Sequence, residues 1–271
     1  MSDFRPVGVF DSGVGGLSIM REIRLLMPSL DIVYVSDARF LPYGDKSEGF
    51  IRARAFAISE FLLGQGARAL VVACNTATAA AALDLRARFR VPIVGIEPAV
   101  KPASAATGSG IVAILATAST LQSRKYAQLL ERFGGFVRVL SQPCSGLVEC
   151  VEAGELDGPR TRALLRGYIE PLLEAGADTL VLGCTHYPFL MEALRAVTGG
   201  AIRIVDPGEA VARRIAHLLR DEHEGEGSLR CYTSGDCVTQ QRVMSQLLGE
   251  QVDVVALPAA FCTTRVPIAD G

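Results

Sequence analysis

The sequence carries little that announces a function class by itself. No apolar stretch reaches the ~20 residues that a membrane helix needs. Net charge at neutral pH is -2, so nothing electrostatic argues for a nucleic acid or an anionic membrane as partner. The first residues, Met1-Ser2-Asp3-Phe4-Arg5-Pro6, have neither the basic start nor the apolar run of a signal peptide. Cysteines number seven. An odd count argues against a complete disulfide framework and for a reducing, cytoplasmic setting. Cys144 with Cys150, and Cys231 with Cys237, lack zinc-site spacing, so no metal is expected. Lysines are few, and neither Lys46 nor Lys101 sits in a phosphate-cradling context. That leaves no lysine-anchored pyridoxal sink. Of the three histidines only His186 lies in a motif; His217 falls on a helical apolar stripe and His223 in a charged loop.

What is present is a duplication. Gly66-Ala67-Arg68-Ala69-Leu70-Val71-Val72-Ala73-Cys74-Asn75-Thr76 is echoed by Gly176-Ala177-Asp178-Thr179-Leu180-Val181-Leu182-Gly183-Cys184-Thr185-His186. Each copy reads as a turn, an apolar run fit for a buried parallel strand, and a cysteine with small polar residues at the strand's end. The echo continues from Pro92–Val100 to Arg203–Val211, and more loosely from Val9–Gly13 to Ile114–Ala118. In open α/β sheets the carboxyl edge of the strands is where ligands bind. Two related halves facing each other bring one thiol to each side of a cleft. At 271 residues and 49% hydrophobic content the chain suits one large or two small domains with a buried core.

Individual elements follow from periodicity and punctuation. Val7–Phe10 is a strand, and Asp11–Gly16 a Gly-rich turn that matches neither GxGxxG nor a P-loop. Its glycines suit close packing of helix on strand. Ser36–Ser47 is a loop, in which Tyr43 is either a surface aromatic or a pocket residue. Thr76–Phe89 is a helix capped by Asn75 or Thr76, which puts Cys74 at a helix N-terminus. That location favours thiolate. Half-ionisation of a free thiol at pH 7 asks for about 2 kcal/mol, and a helix end supplies ~0.3–1 kcal/mol, so a neighbour or the substrate must help. Thr117, Ser119 and Thr120 precede a helix marked by Tyr126, Leu129, Leu130 and Phe133; Ser119 is expected to cap it. Strands are expected at Phe136–Leu140 and Val252–Leu257, and a kink at Pro171. Residues after Leu257 read as a loose tail.

Four motifs in order, Asp11-Ser12-Gly13-Val14-Gly15-Gly16-Leu17, Pro42-Tyr43-Gly44, Cys74-Asn75-Thr76 and Gly183-Cys184-Thr185-His186-Tyr187-Pro188, resemble the glutamate racemases. These belong to the cofactor-independent aspartate/glutamate racemase superfamily. The resemblance spans about Val7 to Leu257. It implies an α/β fold of two pseudo-symmetric domains, each a mainly parallel sheet flanked by helices, with the active site in the cleft between them. It implies domains 1–97 with 208–271, and 98–207.

The resemblance also implies residue roles. Cys74 exchanges the α-proton of D-glutamate and Cys184 that of L-glutamate, assisted by Asp11 and His186 respectively. Asp11, Ser12, Asn75, Thr76, Thr185 and His186, with donors of Tyr43 and Gly44, bind the amino and carboxylate groups. Glu152 is either an acidic residue at the cleft or a solvated helix end. Thr117 aligns with Asp11 in the repeat, which gives it a substrate-facing role. No cofactor is expected. The product D-glutamate implies a peptidoglycan, cell-wall role. The family often forms homodimers, on which the residues are silent. The nearest rivals are the same chemistry on aspartate or a hydantoin, and a two-lobed binding protein without turnover.

Overall fold

The computed structural model describes residues 5–135, 137–219 and 225–262. His223 lies outside them. Ten strands are present among the described residues: β1 (Val7–Asp11), β2 (Ile32–Ser36), β3 (Ala69–Val72), β4 (Ile93–Gly95), β5 (Ile111–Ala116), β6 (Arg138–Pro143), β7 (Thr179–Leu182), β8 (Arg203–Val205), β9 (Leu229–Thr233) and β10 (Val254–Ala256). They form two sheets with helices between successive strands, an α/β fold. Every strand pairing is parallel. The central strands β1, β2, β3 and β7 are buried at every residue. That is why they read as unbroken apolar runs rather than alternating ones.

The duplication is visible in the sheet order. One sheet runs β10-β9-β2-β1-β3-β4 and the other β6-β5-β7-β8. Within each, the second strand of the half flanks the first, then the third and fourth follow. The repeated Gly-Ala pair has a local cause: Gly66 and Gly176 take φ of 85° and 88°, a left-handed turn that feeds β3 and β7 at no steric cost. The chain then returns to the first sheet through β9 and β10, which extend it beyond β2. One apolar cluster is common to both sheets, with Val9 and Val71 on one side and Leu115 and Leu182 on the other.

Several expectations need correction. The strand expected from Phe136 begins at Arg138, Phe136 itself lying outside the described residues, and runs to Pro143. It is a half-exposed edge strand, where polar residues and a proline are tolerated. The strand expected at Val252–Leu257 covers only Val254–Ala256. The single helix expected after Thr117 is two, Ala118–Gln122 and Arg124–Phe133. Thr117 caps the first and Ser123 the second, while Ser119 lies inside the first and caps nothing. Pro171 does lie inside a helix, Pro159–Glu174, as the sequence places it. Residues 258–262 are not a loose tail: the Phe261 ring packs edge-on against Phe61 at 5.4 Å, and its carbonyl accepts from Arg54 at 2.7 Å.

Candidate active site

Cys74 follows β3 and is itself the N-cap of the helix Asn75–Arg88. Neither Asn75 nor Thr76 caps it, because both are already helical. Cys74 has the extended backbone that a cap requires, and its sulfur accepts the Ala77 N–H at 3.5 Å. The helix end does not win the contest over its proton. Burial pushes the Cys74 thiol well above the ordinary range, the Asp11 carboxylate pushes it further, and the Ala77 amide pulls back only in part. The helix-end amide does lower the thiol's pKa, as expected, but burial and Asp11 outweigh it.

Asp11 closes β1 and is fully buried. Four donors surround it: Ser12 N–H at 2.7 Å and Ser12 Oγ at 3.3 Å on Oδ1, Gly16 N–H at 2.6 Å and Thr185 Oγ1 at 3.0 Å on Oδ2. Burial raises its pKa, opposed by His186, the Cys74 thiol, the Ser12 amide and the Thr185 hydroxyl. Ser12 Oγ in turn stands 3.8 Å from the Cys74 sulfur.

The second thiol is served differently. Cys184 follows β7 and leads into a short 3₁₀ turn, Tyr187–Leu190, with Pro188 in its first turn. Its sulfur faces His186 Nδ1 at 3.7 Å. The other ring nitrogen, Nε2, lies 2.8 Å from Glu152 Oε1. Burial disfavours a charged imidazole, yet the bonds to Cys184 and Glu152 outweigh it and hold the His186 pKa well above its usual value. Glu152 is therefore no solvated helix end. Its Oε1 also accepts the Val14 N–H at 2.7 Å, and its Oε2 the Gln240 amide at 3.3 Å. Gln240 Oε1 accepts from the Ser36 hydroxyl at 2.6 Å.

The Gly-rich turn after β1 gains a specific reason here. A Cβ on Gly13 would sit 1.9 Å from Glu152 Oε1, and one on Gly15 would sit 2.3 Å from His186 Nδ1. The turn from the first sheet is the bed on which the histidine–glutamate pair of the second sheet lies.

Cys74 and Cys184 line one small cavity of about 20 Å³. Of the residues expected at the site, Ser12, Tyr43, Gly44, Asn75, Thr76, Thr117, Thr185 and His186 line it as well; Asp11 and Glu152 do not. Asp11 reaches the cavity wall through Ser12, whose N–H and hydroxyl it accepts from. The Asn75 amide is buried with no protein partner at either polar atom, so it is free for a ligand. Thr76, Thr117 and Thr120 hydroxyls form a triangle of 2.9–3.1 Å sides. Tyr43 differs from expectation: its hydroxyl donates to Asp37 Oδ2 at 2.6 Å, which leaves backbone donors for a substrate. Asp37 is gripped by the two-pronged Arg54 guanidinium at 2.8 and 2.9 Å, and both side chains are fully buried. A cavity of 20 Å³ has room for little more than one water, which needs about 10–15 Å³; an amino acid enters only if the walls part. Among the described residues no His/Cys/Asp/Glu cluster suits a metal.

A family model described as Asp/Glu/Hydantoin racemase matches residues 17–215. The chain belongs to this racemase family. It is 56% identical to the glutamate racemase of Ectopseudomonas mendocina over 92% of this chain and 97% of that one. Among solved structures it is similar to glutamate racemase RacE1 from Bacillus anthracis, with TM-score 0.86 and 30% identity over 95% of this chain and 99% of that one. It is also similar to the Escherichia coli glutamate racemase solved with L-glutamate and the activator UDP-MurNAc-ala, with TM-score 0.84 and 35% identity over 93% and 97%.

Sequence reasoning passed over Gln240, Asp37 and Arg54. Gln240 left a trace: it shares the buried face of the helix Cys237–Leu248 with Val243, Met244 and Leu247. A polar residue where the 3.6-residue period calls for an apolar one is the signal. Asp37 and Arg54 left none, because their pairing joins a loop to the middle of a helix 17 residues away.

Proposed function

We propose that this racemase-family chain interconverts L- and D-glutamate without a cofactor, by proton exchange at two cysteines. One observation carries the reading. Cys74 and Cys184 come from corresponding strands of the two sheets and line one cavity. Cys184 takes the α-proton of L-glutamate while Cys74 delivers its own thiol proton to the opposite face, and the roles reverse for D-glutamate. The asymmetry of the two surroundings supports that starting state. Burial and Asp11 keep Cys74 a thiol, while the Cys184 sulfur has the His186 ring nitrogen as its partner at 3.7 Å. Asn75, Thr76, Thr185, Ser12 and the Tyr43-Gly44 backbone fix the ammonium and carboxylates, so that the reacting carbon sits between the sulfurs.

Glutamate as substrate rests on the relatives at 50–56% identity called glutamate racemase and on the solved E. coli relative holding L-glutamate. Entry into the cavity has residues 1–97 with 208–271 move as one domain against 98–207. The D-glutamate formed serves peptidoglycan synthesis in the cytoplasm. Polarimetry on the purified protein, with no cofactor added, tests the reading on glutamate and aspartate in parallel. Loss of rotation with glutamate is expected. Unchanged rotation with glutamate overturns it, and faster loss with aspartate moves the substrate.

A further inference from the structure

The histidine–glutamate pair behind Cys184 does not end at Glu152. Glu152 Oε1 is saturated by His186 and by the Val14 amide. Oε2 has the Gln240 amide. Gln240 is buried, and the orientation of its amide is set from the far side by the Ser36 hydroxyl at 2.6 Å on Oε1. With Oε1 engaged as acceptor, Nε2 has to face the carboxylate. Ser36 closes β2, and Gln240 sits in the first turn of the helix that follows β9. Both therefore belong to the first sheet, whereas Glu152, His186 and Cys184 belong to the second half. Gln240 also lies outside the 17–215 span matched by the family model.

We propose that Gln240, oriented by Ser36, is a positioning residue for the Cys184 half-reaction: it holds Glu152 in the one rotamer that lets His186 face the Cys184 sulfur. The inference rests on the proposed racemisation for its activity readout only. A carboxylate fixed on both oxygens can keep the imidazole ring in plane with Cys184; one fixed on a single oxygen can swing about its Cγ–Cδ bond. The unit crosses from one sheet to the other, so it forms only when the two halves are closed on each other. It thereby couples closure of the site to readiness of the second thiol.

The test uses the full chain and the variants Gln240→Met and Ser36→Ala. Methionine fills the same space on an apolar helix face and removes only the amide. Ser36→Ala is smaller and leaves Gln240 in place without its orienting hydroxyl, so it serves if the first variant does not fold. Racemisation is followed in both directions. The free energies of the enantiomers are equal, so kcat/KM must fall equally in both, and about ten-fold is expected for Gln240→Met. The second readout is the His186 ring resonance in ¹⁵N-labelled protein, identified by its loss in His186→Gln. It is expected to move in both variants while each stays fully folded at the assay temperature. Wild-type rates in the variants, or reduced rates with the His186 resonance unmoved, overturn the inference. If the wild-type chain does not racemise glutamate, the functional reading fails, and the His186 resonance still decides whether Gln240 positions the pair.

Discussion

Thr185 donates a hydrogen bond to Asp11 at 3.0 Å across 174 residues of sequence. The residue next to one cysteine thus steadies the carboxylate behind the other. The two half-sites are not independent copies; each is finished by a group from the opposite sheet. Thr185→Val keeps the shape and removes the donor. A buried carboxylate oxygen left short of a donor costs about 1–3 kcal/mol. Urea unfolding is expected to report that loss, together with about a ten-fold drop in racemisation, while Thr185→Ser stays near wild type on both counts.

The glycines of the first turn give a second check. A methyl at Gly13 collides with Glu152 Oε1, which the Val14 amide and His186 already hold. A methyl at Gly15 collides with the imidazole ring. Nothing lies within 4 Å of a Cβ at Gly49, in the helix Glu48–Gly64. Gly13→Ala and Gly15→Ala are each expected to lower racemisation by about 100-fold, within the range that general acid–base groups contribute. Gly49→Ala is expected to leave the rate alone and stabilise the fold by roughly 0.5–1 kcal/mol. Initial rates and melting curves on the three proteins separate these outcomes.

Stability should carry a pH signature of His186. Its folded pKa is raised above the ordinary value of about 6.5. The charged ring therefore stabilises the fold fully below about pH 6.5, and that contribution is lost as pH rises through the raised folded value. The melting-temperature difference between wild type and His186→Gln is expected to be widest on the acid side and to shrink as pH rises. A difference that grows with pH contradicts this.

Asp37 and Arg54 are both shut off from solvent, and Tyr43 hangs on Asp37. Arg54→Met strands the carboxylate, for which about 3–5 kcal/mol of destabilisation is expected. Arg54→Met with Asp37→Asn removes both charges and is expected to recover part of that loss. Chemical denaturation of the single and double variants measures it.

The parts of the fold legible in the sequence were those with one cause. β3 and β7 are buried on both faces, so their apolar runs, left-handed glycines and terminal cysteines stand out as a repeat. β6 is an edge strand with a half-wet pattern, and its start was misplaced for that reason. The cap on the helix after β3 was misassigned because cysteine is a rare cap, and only backbone angles distinguish Cys74 from Asn75. In the site, the residues that line the cavity were readable from motifs. Those that stand behind were less so, because their identity depends on which surfaces the two sheets press together. Glu152 reads two ways in the sequence, because the groups that decide it, Val14, His186 and Gln240, come from distant parts of the chain.

The central claim is that two sulfurs act on one carbon from opposite faces. Incubation of each glutamate enantiomer with the protein in heavy water tests it most directly. Early in the reaction the newly formed enantiomer is expected to carry deuterium at the α-carbon, while the remaining substrate stays protonated. Product that keeps its original hydrogen, returned to the other face by a single group, contradicts the account.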